Sequence, residues 1–201
     1  MKCKICGSAN VDIVYNGEIR DGKVGNFTKQ AVPIYKCKDC DVTWHDNILK
    51  DIDSFYESAE YRNAVDDGSE AAHFYELHDG GVYDTLRYTG TKIFRDKVVA
   101  DIGCAAGAFL DFVKGSAKTV IGIEPSAIFR KSMQEKGFVT FPYAKDAKKV
   151  YADKVNVVTS FDVIEHVEEP EEFLRDAYDL LGEGVWQSSV RRQTHLSPVN
   201  L

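Results

Sequence analysis

Short apolar runs alternate with amphipathic segments over residues 97–184, and this alternation constrains the fold more than any other feature of the chain. Three of the runs are Val98–Ile102, Thr119–Ile123 and Val155–Thr159. Between the first two lies 108–114, with apolar residues at helical spacing. Strands that alternate with helices form a parallel sheet with helices on both faces. The pattern therefore predicts an α/β, Rossmann-like domain. Its further predicted elements are a helix from Ser126 to Lys136, a strand at 138–141 and a helix from Pro170 to Leu181.

A glycine-containing turn follows the first apolar run. Asp101 lies near the end of that run, and Gly103 and Gly107 bracket the turn. Ligands of open α/β sheets bind outside the carboxyl ends of the strands, and glycine lets a ligand approach the backbone closely. Glu124 ends the second run, where a carboxylate can accept both hydrogen bonds of a ribose diol. We therefore expect a nucleotide-containing ligand here.

Two alanines help to decide which class of nucleotide ligand this turn binds. The dinucleotide fingerprint needs glycine at the positions of Ala105 and Ala108. The Asp101 carboxylate would oppose a pyrophosphate but suits a cation. S-adenosylmethionine carries a sulfonium and an ammonium group and no phosphate. The turn thus favours S-adenosylmethionine, and an NAD-dependent enzyme is an alternative.

Residues 97–181 resemble the class I S-adenosylmethionine-dependent methyltransferases. Residues 101–107 resemble the first motif of that family, D-x-G-x-G-x-G, with Ala105 at the middle glycine. Residues 161–167 resemble its segment after strand four, which lines the methyl-transfer cleft. The resemblance implies cofactor binding by Asp101, Gly103, Ala105, Gly107, Glu124, Phe161 and Asp162.

Two residues after the fourth strand are candidates for catalysis. His166 and Glu165 could remove a proton from the acceptor, and an imidazole suits that role near neutral pH. The alternative is that either residue only anchors the following helix. We predict that Cys104, inside the glycine turn, packs and is not a nucleophile.

Four cysteines form two C-x-x-C pairs near the start of the chain. Zinc binds four thiolates in a tetrahedron, and two intervening residues let one turn aim both sulfurs at one ion. Four protein sulfurs leave no open coordination position, so the site would be structural. Disulfides and a rubredoxin-like iron site are alternatives. We predict a small β zinc ribbon over residues 1–50, with the ligands Cys3, Cys6, Cys37 and Cys40.

Two further segments flank the α/β domain. Residues 51–80 hold nine acidic side chains and one arginine, interleaved with aromatic residues, so an acidic helical connector with a pre-domain helix is predicted over 51–96. Residues 185–201 lack the strand and helix pattern, which indicates an atypical, truncated ending and an incomplete methyltransferase domain. Val185 to Val190 could still add a ragged fifth strand. Without it, the fourth strand would be an exposed edge that favours self-association.

Charge and hydropathy restrict the partners of the chain. The net charge is −7, which argues against broad electrostatic binding of nucleic acid. The sequence contains no apolar stretch of about 18 residues and no apolar signal core near Met1, so we expect a cytoplasmic protein that does not cross a membrane.

The four-cysteine module and the connector motif Phe-Tyr-Glu-Ser at 55–58 resemble those of bacterial methyltransferases that act on sugars. This resemblance implies methyl transfer from S-adenosylmethionine to a small acceptor, a sugar, nucleotide-sugar or polysaccharide unit. A donor-binding but inactive remnant is one alternative. A nucleic-acid adaptor that uses the zinc ribbon is another.

Overall fold

The computed structural model describes residues 1–20, 26–46, 56–58 and 71–182. Within these ranges the chain forms a three-stranded antiparallel sheet and, after it, a four-stranded parallel sheet with helices. The predicted fold class, an α/β domain preceded by a small β module, is confirmed. No helix in these ranges combines the length and the apolar character that a membrane span requires.

The antiparallel sheet consists of β1 (Val11–Gly17), β2 (Val32–Cys37) and β3 (Thr43–His45), in that order. The sequence pattern predicts a hairpin turn at Asn16–Gly17, and this prediction is wrong. Asn16 and Gly17 continue β1 and pair with Pro33 and Val32. The ribbon extends further, since Arg20 bridges to Phe27, so the reversal comes later in the chain. The predicted turn at Asp21–Gly22 lies outside the described residues.

The second part of the chain alternates helices and strands. It starts with α1 (Ala71–Thr89) and a 3₁₀ turn at Lys92–Phe94. The elements that follow are β4 (Val98–Ile102), α2 (Ala108–Val113), β5 (Thr119–Ile123), α3 (Ala127–Glu135), β6 (Val139–Phe141), α4 (Ala144–Tyr151), β7 (Val157–Thr159), a 3₁₀ turn (Ile164–His166) and α5 (Pro170–Leu180). Helix α4 is absent from the sequence prediction.

The order of the parallel sheet is β6-β5-β4-β7, and every pairing in it is parallel. The chain moves outward from β4 to β6 and then returns to the other side of β4. This reversal places a switch point between β4 and β7, and ligands of such sheets bind in the crevice at the carboxyl ends there.

Apolar clusters cover both faces of this sheet. On one face, Ile121 and Ile123 of β5 pack with Leu180 of α5. On the other, Val99 of β4 packs with Leu110 of α2. Burial of both faces explains why the strands are almost continuously apolar.

The outer side of β7 begins to pair with the chain that leaves α5. Leu181 forms a parallel bridge with Val155, and the Gly182 amide donates a hydrogen bond to the Val155 carbonyl at 3.0 Å. The predicted ragged strand at Val185 to Val190 and the tail 185–201 lie outside the described residues. Self-association through this edge therefore stays a prediction.

Candidate functional site

A cavity of about 790 Å³ opens at the carboxyl ends of the parallel strands. Its lining comes from the residues that end β4 and β5 and from the segment after β7. Eight of the sequence-predicted site residues line it: Asp101, Gly103, Ala105, Glu124, Phe161, Asp162, Glu165 and His166. Gly107 is in the same turn, at the N-cap of α2. The fold thus brings the nine predicted donor-site and catalytic residues to one place.

The turn between β4 and α2 depends on a left-handed backbone. Gly103, Ala105 and Gly107 have φ values of +74°, +48° and +81°. A Cβ at Gly103 would collide with the side chain of Val163, and one at Gly107 would lie 2.8 Å from the Met133 sulfur. Glycine is therefore needed at both positions, whereas the turn accommodates Ala105 at the cost of an unfavourable φ.

Two buried carboxylates face this turn. Glu124 accepts hydrogen bonds from the amides of Ala105 and Ser126, each at 2.9 Å. Asp101 accepts a hydrogen bond from the Thr159 hydroxyl at 2.7 Å. Burial raises the pKa of Asp101 to about 7, against the lowering effect of Thr159 and with a further increase from the charge of Glu124. Because burial disfavours the charged form of Asp101, a cation bound beside this carboxylate would stabilise its negative charge.

Aromatic side chains form the apolar walls of the cavity. Phe161 packs edge-to-face against Phe109, with ring centroids 5.0 Å apart. On the other side, Phe74 and His78 of α1 stack at 4.1 Å. Sequence reasoning did not assign the α1 residues to the site. Their signal is the helical spacing of the lining residues Phe74, His78, Val82 and Thr85.

The mouth of the cavity involves a short described segment that precedes α1. The Tyr56 hydroxyl lies 3.0 Å from Nδ1 of His166 and hydrogen-bonds to it. The next residue, Glu57, accepts a hydrogen bond from the Tyr143 hydroxyl at 2.6 Å. His166 and Tyr143 lie in the segments after β7 and β6, so residues 56–57 contact both sides of the cavity. Sequence reasoning also missed Tyr56 and Tyr143 as site residues.

Cys104 packs inside the domain. The Cys104 sulfur lies 3.7 Å from the Met133 sulfur. The pKa of the Cys104 thiol is raised well above its ordinary value, and burial is the largest cause of this shift. A thiol that resists ionisation is a poor nucleophile, in keeping with the predicted packing role.

The four cysteines of the two C-x-x-C pairs converge beside the antiparallel sheet, with sulfurs that all lie within 4.8 Å of one another. The sulfurs of Cys3 and Cys40, and those of Cys6 and Cys37, are 3.6 Å apart. All are free thiols, so the disulfide alternative does not describe this structure. A zinc ion at about 2.3 Å from each sulfur would place tetrahedral ligands about 3.8 Å apart, so the geometry fits a four-thiolate metal site.

Local backbone geometry supports this cluster. Gly7, directly after the first pair, has a φ of +70°. The Ile5 amide donates a hydrogen bond to the Cys3 sulfur at 3.4 Å. The pKa of Cys3 is lowered to about 7, and the largest cause of this shift is a hydrogen bond with the backbone of Cys6. Backbone hydrogen bonds also lower the pKa values of Cys6 and Cys40, but desolvation and the neighbouring thiols outweigh that effect, so both pKa values are raised instead. The support for a metal site is therefore the geometry of the four sulfurs, and a bound metal would favour the thiolate form.

Comparison with known proteins finds a matching family model and similar solved structures for the α/β domain. Residues 73–195 match the model of a family described as a methyltransferase domain. Similar solved structures include a SAM dependent methyltransferase from Archaeoglobus fulgidus, with 25% identity over 54% of this chain and 52% of that chain and a TM-score of 0.45. The magnesium protoporphyrin IX methyltransferase from Synechocystis with bound SAM is 16% identical over 67% of this chain and 74% of that chain, with a TM-score of 0.49. The chain thus spans about half the length of the first of these structures, 52%.

Proposed function

Because the chain belongs to the methyltransferase-domain family that residues 73–195 match, we propose that it transfers a methyl group from S-adenosylmethionine to a small acceptor molecule. The observation that carries the proposal is the cavity in which Asp101, Glu124 and the left-handed turn meet. The buried Asp101 suits a cationic donor and would oppose the pyrophosphate of a dinucleotide, whereas Glu124 suits the ribose of either ligand. The site therefore favours S-adenosylmethionine over NAD.

The donor is held, in this proposal, by residues of the first two strand ends. Asp101 and the turn from Gly103 to Gly107 bind its amino-acid end, and Glu124 binds the ribose diol. Each Glu124 oxygen accepts one backbone amide. A carboxylate is an acceptor with about four lone-pair sites, which suits the two hydroxyls of a ribose diol. Phe161 and Asp162 line the cleft beside the transferred group.

S-adenosylmethionine supplies a methyl carbon that its sulfonium already activates. The protein then has to align the reactants and exclude water. Phe109 and Phe161 form an apolar wall for this purpose. His166 accepts the proton that the acceptor loses, with Glu165 as the neighbouring candidate. The proton would go to Nε2, since Nδ1 is bonded to Tyr56.

We propose a carbohydrate acceptor, either a sugar, a nucleotide-sugar or a polysaccharide unit. The support is the combination of the four-cysteine module with the Phe-Tyr-Glu-Ser connector, two residues of which contact the cavity mouth. A cavity of about 790 Å³ is in the range of small-molecule sites. A cytoplasmic location, in which free thiols stay reduced, completes the proposal.

We also propose that Cys3, Cys6, Cys37 and Cys40 hold one structural Zn²⁺. The support is the convergence of the four sulfurs within 4.8 Å. Elemental analysis of freshly purified full chain should give about one equivalent of zinc. Less than half an equivalent, or iron in its place, would contradict the proposal.

Calorimetric titration with S-adenosylhomocysteine tests donor binding. The full chain should bind, and Glu124→Gln should weaken binding at least tenfold, because it replaces an acceptor-only group that two amides and the diol require. Glu135→Gln, at an exposed residue of α3, is the matched control and should bind like the wild type. Tight NADH binding without S-adenosylhomocysteine binding would contradict the proposal.

Transfer of a labelled methyl group to a panel of sugars and nucleotide-sugars tests the reaction itself. We expect labelled product with at least one member of the panel. Donor binding without transfer to any acceptor would favour the inactive remnant instead.

A further inference from the structure

A tyrosine of α1 reaches the backbone of the turn between β4 and α2. Tyr75 is half-buried, and its hydroxyl donates a hydrogen bond to the Ala106 carbonyl at 2.7 Å. The side chain of Ala106 is fully buried among apolar residues. The contact from Tyr75 therefore acts on the peptide group that joins Ala106 to Gly107.

The same turn is held from its other side. The Ala105 amide donates to Glu124 at 2.9 Å. Two consecutive residues are thus held by side chains: Ala105 through its N–H by Glu124, and Ala106 through its C=O by Tyr75. The first of them has a φ of +48°, a left-handed conformation that is unfavourable for an alanine. The Tyr75 contact orients the peptide between Ala106 and Gly107, which lies between the two left-handed residues Ala105 and Gly107, and so helps to maintain the turn.

The phenol of Tyr75 is itself oriented. The Lys136 ammonium donates to the Tyr75 oxygen at 2.5 Å and to Asp111 at 2.6 Å, and it lies 3.8 Å from the centroid of the Tyr75 ring. An ammonium group has no acceptor. The single hydroxyl hydrogen of Tyr75 must therefore point elsewhere, and the Ala106 carbonyl receives it.

Charge reinforces this arrangement. Burial lowers the pKa of Lys136, but hydrogen bonds to Asp111 and Tyr75 outweigh that effect and the net shift is upward. The lysine stays cationic at neutral pH. The group joins α1 through Tyr75, α2 through Asp111 and the end of α3 through Lys136.

We infer that Tyr75 is a positioning residue for the donor, which holds the binding turn in its left-handed form through the Ala106 carbonyl. The inference rests on the proposed function, because it concerns the same donor site. Tyr75 is not among the residues that line the cavity, and its hydroxyl contacts the backbone of the turn. Its effect on the donor should therefore appear as a change in affinity.

The test is calorimetric titration of the full chain and its variants with S-adenosylhomocysteine, together with thermal unfolding. Tyr75→Phe keeps the ring beneath Lys136 and removes the hydroxyl. It should weaken binding about fivefold, the value of one hydrogen bond. Tyr83→Phe, on the same helix with a 58% exposed side chain, should leave the affinity unchanged.

A second control separates positioning from general stability. Leu86→Ala truncates a buried residue of α1 that belongs to a different apolar cluster from Ala105 and Ala106. It should lower the melting temperature more than Tyr75→Phe does and leave the dissociation constant unchanged. Lys136→Met, at an exposed lysine, removes the group that orients the phenol and should weaken binding about twofold.

The outcomes are distinguishable. Wild-type binding with equal affinity in Tyr75→Phe would overturn this inference and leave the proposed function standing. If Tyr75→Phe fails to fold, unchanged affinity in Lys136→Met would overturn it. A wild-type chain that does not bind S-adenosylhomocysteine would overturn both the proposed function and the inference.

Discussion

The amino-terminal sheet and the parallel-sheet domain achieve their stability by different means. In the described part of residues 1–46, few apolar side chains are buried, and two of them are cysteines of the four-thiol cluster, Cys3 and Cys37. The parallel sheet is covered by apolar clusters on both faces. A small sheet without a sizeable core needs a cross-link, whereas a larger domain can rely on apolar burial. One chain therefore contains a unit that should depend on metal and a unit that should not.

The largest effect should come from breaking the cysteine cluster. Cys37→Ser should remove zinc and unfold the antiparallel sheet, because structural zinc sites supply much of the folding free energy of small modules. Affinity for S-adenosylhomocysteine should persist, since the donor cavity is built on the other sheet. Elemental analysis measures the zinc content, circular dichroism measures the loss of the antiparallel sheet, and calorimetry measures the affinity for S-adenosylhomocysteine.

The matched control is Cys104→Ala, which removes the fifth cysteine, buried in the α/β domain. It should retain full zinc content. Loss of donor binding in Cys37→Ser would show that the two units are not independent, and the comparison would fail.

The next largest effect concerns apolar packing. Leu110→Ala, at a side chain with 0% exposure, should lower the free energy of unfolding by about 2–5 kcal/mol through lost burial and a cavity. Ile13→Ala, at a 60% exposed residue of β1, should change it by less than about 0.5 kcal/mol. Urea unfolding followed by fluorescence checks both values. Equal effects at the two sites would remove the proposed difference between the regions.

A smaller effect is expected for the backbone of the turn. Gly103→Ala forces a side chain into a φ of +74° and against Val163, so we expect a loss of about 2–4 kcal/mol in the free energy of unfolding. Gly115→Ala, where an added Cβ would meet nothing within 4 Å, is the control. Thermal unfolding of both variants measures the difference, and a Gly103→Ala variant as stable as the wild type would refute the steric explanation.

The last effect, the smallest for one pH unit of the measurement, is a pH dependence of the stability of the α/β domain. The pKa of Asp101 is about 7 when folded and close to its ordinary value of 3.8 when unfolded. Between these values the folded state holds the extra proton, so stability should fall as pH rises, by at most about 1.4 kcal/mol per pH unit. Above pH 7 this loss is complete. Asp101→Asn should flatten the profile measured by unfolding at pH 5 to 8, and the exposed control Asp84→Asn should not.

The sequence predicts the apolar strands well because their signal is local. The bounds of β4 and β5 agree with the prediction, since both are predominantly apolar runs that are followed by a glycine or a charged residue. Helix α4 was missed because its buried side chains are two alanines among lysines, which give a weak apolar pattern. The turn expected at Asn16–Gly17 was wrong because pairing with β2 outweighs the local turn preference of that dipeptide.

The candidate site is predictable only where one stretch of chain carries it. The turn after β4 and the acid after β5 are such stretches, and the cavity contains both. Phe74 has only the helical spacing of α1 as its signal. Tyr56 and Tyr143 reach the cavity from distant segments, and nothing in their immediate neighbours indicates that they would. Their positions depend on tertiary packing, which hydrophobic periodicity does not encode.

A phenol that is hydrogen-bonded to Nδ1 of an imidazole lets the other ring nitrogen, Nε2, gain or lose a proton while the hydrogen bond at Nδ1 is kept. When Nε2 of His166 carries no proton, Nδ1 carries the ring hydrogen and donates a hydrogen bond to the Tyr56 oxygen, 3.0 Å away. Once Nε2 has taken a proton, Nδ1 still donates to the same oxygen, now from a cation and hence more strongly. In the proposed reaction the ring would therefore capture and release its proton in one fixed orientation, with no side-chain rotation between turnovers.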